Sequence, residues 1–205
     1  MMSAQENNFG QTPSQTVGPY FAYGLTGLQY QYGFDQPFDD EVAYPHAPGQ
    51  HILLEGRVFD GEGREVPDAL IEISQLDAAG RPVQRTDQPR ATALKTGFRG
   101  FGRVGTGTDR DKRFVFRTVK PGVAAPGEAP HIDVIVMMRG LLVHAFTRIY
   151  FSDEAQANAQ DPVLALVPAE RRETLVAQRA EVGAQVVYRF DIHMQGPKET
   201  VFFDV

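Results

Sequence analysis

The sequence predicts an all-β protein, a β-sandwich with an N-terminal arm and short helical segments. Three observations carry that expectation. From residue 51 onward, short runs alternate apolar and polar residues, the period-two signature of half-buried strands. Turns rich in Gly and Pro, such as Asp60-Gly-Glu-Gly63 and Asp77-Ala-Ala-Gly-Arg-Pro82, separate those runs. Helical spacing is confined to one stretch after Asp161. Many short strands divided by such turns indicate a sandwich.

Composition narrows the class. A length of 205 residues suits one domain with a sizeable core. Hydrophobic residues at 42% and charged residues at 22% are the balance of an ordinary globular protein, so no disordered or fibrous class is needed. A net charge of −6 argues against a nucleic-acid partner, whose phosphates need a basic surface. The chain has no cysteine, which excludes disulfides, thiolate metal sites and cysteine nucleophiles, and fits a reducing compartment. Residues 1–9 lack the basic and apolar regions of a signal peptide, and no apolar run approaches the ~18 residues of a membrane span. The expectation is a soluble, cytoplasmic protein without a membrane partner.

Residues 1–50 read as an arm and residues 51–205 as the core. The arm has little periodicity but many aromatics, through Tyr32 and Phe38. Aromatics that dense need cover, either across the chain's own core or on a partner subunit. In the core, residues 51–59 and 69–75 read as strands joined by the hairpin-like turn at 60–63. A long loop follows from about Arg85 to Lys112, and loops of that length are usually functional or mobile. Strands resume at 113–119, 131–138 and 145–151. Asp161-Pro162 reads as an N-cap with Pro at the first helical position, and Pro168 starts another helical turn. Leu175, Val176 and Arg179 predict a short amphipathic helix within 170–180. Residues 186–194 alternate cleanly, and 200–204 close the chain as a further short run.

The candidate chemistry gathers around one strand. His131 and Asp133 lie two residues apart, so both point to one face while Ile132, Val134 and Val136 point to the other. Both are competent metal ligands, yet two donors alone make an open site that needs outside help. A hydrogen-bonded structural pair is the competing reading. His46, His51, His144 and His193 read as structural imidazoles. Arg139 follows the His131 strand where it leaves the sheet, and is either an ordinary ion-pair partner or a ligand-facing cation. In the arm, Thr16-Val-Gly-Pro-Tyr20 offers two hydroxyls, a Gly18 that permits close backbone approach and a Pro19 that fixes the chain. Glu170-Arg-Arg-Glu173 reads as a solvated helix face. Arg99-Gly-Phe-Gly-Arg103 has glycines too close for a phosphate loop, and no Gly-x-Ser-x-Gly elbow occurs.

Six segments in order, T-P-S-Q-T-x-G-P-Y, H-I-L-L-E-G-x-V-x-D-G-x-G, F-R-T-V-K-P-G, P-H-I, R-I-Y-F-x-D-E and Y-R-F-D-I, resemble the intradiol ring-cleaving dioxygenases. The resemblance runs from about Thr12 to the C-terminus and implies the transthyretin-like sandwich of that family. It also implies non-haem Fe(III) held by two tyrosines and two histidines. Here Pro82 and Ala124 stand where the tyrosines would follow their turns, and Asp133 replaces the second histidine, leaving His131. These four are vestigial metal-site positions, so the chain resembles the iron-free α-type chains of the heteromeric members. Such chains pair with a homologous β subunit that carries the Fe(III), in a protomer repeated into a larger oligomer. The resemblance further implies protocatechuate and O2 as substrates, with Arg139, Thr16, Gly18, Pro19 and Tyr20 forming part of the pocket wall shared with the β subunit. No catalytic residue is then expected in this chain. Two other classes stay open on the residues themselves: a self-sufficient metalloenzyme using His131 and Asp133, and a non-catalytic sandwich scaffold.

Overall fold

The computed structural model describes residues 18, 21–33, 36–83 and 89–204. Nine strands are present among them: β1 (His51–Phe59), β2 (Leu70–Ser74), β3 (Phe101–Gly105), β4 (Arg113–Val119), β5 (His131–Met137), β6 (Ala145–Phe151), β7 (Val176–Val182), β8 (Gln185–Arg189) and β9 (Ile192–His193). The helices are short: α1 (Phe21–Leu25), α2 (Pro89–Thr96), α3 (Ala155–Gln160) and α4 (Pro162–Leu166), with 3-10 turns at Gly27–Tyr30 and Ala169–Leu175.

The strands run in the order β3-β2-β5-β6-β7-β8-β1-β4, with β9 beside β1. β7 makes the corner. Val176 and Ala177 pair in parallel with β6, while Gln178–Val182 pair antiparallel with β8. The sheet therefore folds back on itself and encloses the core between its halves. Period-two patterning fills that space. Ile52, Leu54 and Val58 point inward from β1, Phe114 and Phe116 from β4, and Ile132, Val134 and Val136 from β5. Each such side chain contributes roughly 1.5–3 kcal/mol relative to exposure. Gly56 interrupts the inward row of β1 for a steric reason: a Cβ there would lie 1.7 Å from the Phe190 carbonyl oxygen.

The all-β sandwich expectation holds, with five corrections of detail. The turn at 60–63 forms, with Val66 N–H donating to Val58 O at 2.8 Å, but β1 and β2 do not pair. β1 pairs with β4 and β8, and the chain crosses to the other half before β2 begins. The expected loop from Arg85 to Lys112 contains α2 and β3. The helix expected over 170–180 is a 3-10 turn followed by β7, because β6 and β8 both present unpaired backbone at the corner. The run at 186–194 is two strands. Both follow one register along β1, but between them Asp191 Oδ1, a side-chain oxygen, accepts the Arg57 N–H at 3.0 Å. Residues 200–204 form only a single bridge, Phe146 to Phe203.

Segment 36–50, grouped with the arm from the sequence, packs on the chain's own core. Val42, Ala43 and Ala47 belong to the main hydrophobic cluster, and Val42 N–H donates to Arg117 O at 2.9 Å.

Candidate functional site

Two turns and one strand build the first candidate site. Asp77 closes the turn 77–82, accepting the Ala79 and Arg81 backbone N–H groups on Oδ1 at 2.8 and 2.9 Å and the Arg81 Nε–H on Oδ2 at 3.0 Å. Burial raises its pKa, but the Arg81 and Ala79 hydrogen bonds outweigh that and hold the carboxyl below its usual value. The second turn follows Lys120-Pro-Gly122 and packs directly on the first. Gly122 N–H donates to Asp77 O at 2.9 Å, and a Cβ on Gly80 would lie 2.0 Å from Val123 O. Gly80 also has φ +74°, so glycine is required there twice over.

Pro82, on the first turn, and His131 and Asp133, on β5, line one cavity of about 310 Å³, together with Ser74, Arg99 and Phe101. Ala124 is exposed and is not part of that lining. The strand reading of His131 and Asp133 on one face is correct, since Ile132 between them is buried. They do not pair with each other. A hydrogen bond of 2.9 Å joins His131 Nδ1 to Ala129 O, while Asp133 Oδ1 accepts from Arg148 Nε at 2.9 Å. Arg99 brings a cation to the lining, and it is satisfied by Asp39 Oδ1 at 2.6 Å and Pro37 O at 2.5 Å.

This donor set does not fit Fe(III). It offers one imidazole and one carboxylate already neutralised by an arginine, and neither Pro82 nor Ala124 has a donor atom in its side chain. Among the described residues, no group of three or more His, Cys, Asp or Glu side chains could hold a metal ion.

The second candidate site lies where β5 ends. Arg139 sits in the turn Met138–Leu141, which Gly140 closes at φ +91°. Its Nε forms an ion pair with Asp68 Oδ2, and the arginine side chain is 55% exposed against 21% for the aspartate. The described foot of the arm reaches the same corner. Gln29 donates to Gly105 O at 3.1 Å and accepts the Gly105 N–H at 2.7 Å. Tyr30 places its hydroxyl against Gly107, where an added Cβ would also meet Pro67 O. Burial raises the Tyr30 pKa, and the negative charges of Tyr23 (as phenolate) and Asp68 add to the rise. Of the arm motif, Gly18 is exposed, accepts the Phe21 N–H at 3.2 Å, and has no described atom within 4 Å of an added Cβ. Thr16, Pro19 and Tyr20 lie outside the described residues.

The sequence reading missed a third group. Lys120, 12% exposed, donates to Asp153 Oδ2 at 2.9 Å and Glu154 Oε1 at 2.6 Å. Tyr188 donates its hydroxyl to Asp153 at 2.9 Å, and the ammonium lies 5.4 Å from the Phe151 ring centre. Desolvation would lower the Lys120 pKa, but Glu154 and Asp153 reverse it and hold it above the usual value. Burial, aided by Asp153, pushes Tyr188 up to about 12. These residues come from F-R-T-V-K-P-G, R-I-Y-F-x-D-E and Y-R-F-D-I, three of the six segments noted above. Their convergence was the available signal: Lys120, Asp153, Glu154 and Tyr188 lie outside the family's metal-ligand positions and needed a common structural purpose.

With this geometry in hand, relatives separate the possibilities. A family profile described as Dioxygenase matches residues 35–138. The protocatechuate 3,4-dioxygenase alpha chain of Burkholderia cepacia is 64% identical over 197 residues, covering 95% of this chain and 98% of that one. The chain belongs to the intradiol dioxygenase family. The beta chain of the same Burkholderia cepacia enzyme is a more distant intradiol relative, 33% identical over 162 residues, 74% of this chain and 67% of that one. Among solved intradiol-type structures, the dioxygenase domain of a carbohydrate-binding fusion protein from Streptomyces sp. SirexAA-E superposes with TM-score 0.57 at 25% identity, over 90% of this chain and 97% of that one. This family is an iron-using one. No helix among the described residues is long and apolar enough to cross a membrane.

Proposed function

We propose that this chain is the iron-free α subunit of a protocatechuate 3,4-dioxygenase, paired with a homologous β subunit that holds the Fe(III). The complex cleaves protocatechuate with O2 to 3-carboxy-cis,cis-muconate, and the β-bound iron supplies the redox and Lewis-acid chemistry of ring opening. One observation carries the assignment. The cavity lined by Pro82, His131 and Asp133 presents a donor set unfit for Fe(III), in a chain 64% identical to a relative named as an alpha chain. The absence of cysteine suits a cytoplasmic enzyme.

The contribution of this chain is recognition and enclosure. Arg139 receives the ring carboxylate of the substrate bound at the partner's iron, since a guanidinium is always charged and can grip a carboxylate through two N–H groups. The arm motif Thr16, Gly18, Pro19 and Tyr20 completes the wall, carried by the arm foot that packs beside Asp68. The arm motif thus serves the shared site, while residues 51–205, with segment 36–50 packed on their core, form the sandwich that presents Arg139.

The deciding experiment measures iron content and protocatechuate-dependent O2 uptake for the chain alone and coexpressed with a homologous β chain. No iron or uptake alone, with both on coexpression, is the expected result. Stoichiometric iron and turnover from the single chain would sink the proposal and revive His131 and Asp133 as ligands. In the assembled enzyme, Arg139→Ala should raise KM for protocatechuate about ten- to a hundredfold, the loss of one charge-assisted hydrogen bond of ~1.5–3 kcal/mol. An unchanged KM would remove the role assigned to Arg139.

A further inference from the structure

We infer that Asp68 is the positioning residue for Arg139, holding its guanidinium in the direction from which it meets the substrate carboxylate. The inference rests on the reading of Arg139 given above and adds the residue that makes it work.

Arginine side chains are long and rotamer-rich, and Arg139 sits in a turn with its side chain 55% exposed. Left to itself it would sample many directions, and ligand binding would have to order it at an entropic cost. Asp68 removes that freedom beforehand. It pairs with Nε, on the stem side of the guanidinium, so the contact limits the directions the group can take without using the outer amino groups.

The carboxylate can do this because its own backbone is anchored. Asp68 lies between two segments held by one buried threonine. Thr106 Oγ1 donates to Val66 O at 2.8 Å and accepts the Ala69 N–H at 3.1 Å, and Thr106 N–H donates to Ala69 O at 2.9 Å. Ala69 and Thr106 are both fully buried. A short, two-torsion side chain on that pedestal has few places to go. The neighbours also fit a recognition corner: Tyr30 of the arm foot is close enough to Asp68 for its charge to be felt.

The competing possibility is that Asp68 opposes binding, since it carries the same charge as the substrate carboxylate. Two features decide against it. The aspartate meets Nε rather than the outer edge of the fork, so it does not occupy the carboxylate's place. The ion pair is also a direct contact, whereas the repulsion acts across the guanidinium over a longer distance, so the attraction is the larger of the two.

The test uses the assembled α/β enzyme carrying Asp68→Asn, Arg139→Ala or both, with Asp68→Glu as a second variant that keeps the charge and shifts it by one methylene. Steady-state kinetics are measured with protocatechuate and with catechol, which lacks the ring carboxylate. Asp68→Asn should raise KM for protocatechuate about three- to tenfold with kcat within about twofold, as loss of preorganised binding requires. Catechol parameters should not move, Asp68→Glu should fall between wild type and Asp68→Asn, and Asp68→Asn should add nothing in the Arg139→Ala background. An unchanged or lower KM in Asp68→Asn, while Arg139→Ala raises it, would overturn the inference and leave Arg139's own role standing. A rise shared equally by catechol, or one that persists without Arg139, would make Asp68 merely structural and overturn it as well. If Arg139→Ala itself leaves KM unchanged, the reading of Arg139 falls first and this inference with it. Should Asp68→Asn fail to assemble, the catechol comparison on Asp68→Glu decides the matter alone.

Discussion

Asp161→Ala should be among the most damaging single substitutions in this chain. The carboxylate is 1% exposed and makes four hydrogen bonds. It caps α4 by accepting the Val163 and Leu164 N–H groups, both at 2.9 Å. It also accepts the Tyr150 hydroxyl at 3.1 Å and the Ala129 N–H at 2.9 Å. Losing the cap costs roughly 0.5–2 kcal/mol. The Ala129 N–H is fully buried, so water cannot replace its partner, and an orphaned group of that kind costs about 1–3 kcal/mol. With the Tyr150 hydroxyl also stranded at about 1–3 kcal/mol, the terms span about 2.5–8 kcal/mol, and relief of the carboxylate's own desolvation brings the net to about 3–5 kcal/mol. In a domain of this size that lowers the melting temperature by roughly 6–20 °C. Burial raises the Asp161 pKa, but the Ala129 and Leu164 N–H groups with Tyr150 pull it below the usual carboxylate value. Its contribution is therefore complete above the unfolded value of ~3.9 and is lost as pH falls through the depressed folded value. Calorimetric melts of wild type and variant from about pH 3 to about pH 7 should converge towards the acid end. A shift below about 2 °C at neutral pH, or a gap that widens on acidification, would refute the reasoning.

Lys120→Met should destabilise by about 2–3 kcal/mol, less than the ~3–5 kcal/mol for breaking a fully buried pair because Asp153 and Glu154 are each about one-third exposed. The raised Lys120 pKa means its contribution is complete below the unfolded value of ~10.4 and is lost as pH rises through the folded value. Partial desolvation raises the Asp153 pKa, yet Lys120 and Tyr188 hold it below the usual value, so its share is lost only in acid. Urea unfolding should then show a flat stability difference across neutral pH, and a difference that titrates there would contradict the assignment. Gly56→Ala should cost more than the ~1–3 kcal/mol of ordinary overpacking, because the obstacle 1.7 Å away is backbone rather than a mobile side chain. An unchanged urea midpoint for Gly56→Ala would show that β1 and the Phe190 segment are not in this register.

The strands were legible because their inward rows are dense in Ile, Val, Leu and Phe, and period-two burial is a local property. The cap at Asp161 was legible for the same reason, since its helix donors lie two and three residues away. What could not be read locally was pairing. The turn at 60–63 carries hairpin chemistry, yet β1 finds its partners about sixty and more than a hundred residues on, at β4 and β8. β7 carries helical spacing in Leu175, Val176 and Arg179, and only the corner between β6 and β8 makes it a strand. At the candidate site, the one-face placement of His131 and Asp133 followed from periodicity, but their partners did not. Arg148 reaches Asp133 from the neighbouring strand β6, and Asp68 reaches Arg139 from the turn before β2, far earlier in the chain.

The same contrast explains how a chain can keep its family's fold without the donors for the family's metal. The turn that lines the cavity is fixed by Asp77 and Gly80 and backed by Gly122, and the strand start at His131 is tied down through Ala129 by Asp161. Lys120 locks the end of β4 to the corner beyond β6 through Asp153 and Glu154. None of these residues needs an ion. Their work is the geometry of two turns and a strand, and that geometry survives whichever side chains stand at 82, 124 and 133. Motif similarity in this chain therefore reports scaffold, while chemistry is reported by the few positions whose atoms face the cavity. Those positions hold a proline, a charge-paired aspartate and a histidine bonded to backbone, an arrangement suited to filling a pocket rather than to binding a ferric ion. In the function proposed above, the demand on such a subunit moves to the corner at Arg139, a cation paired with the Asp68 carboxylate.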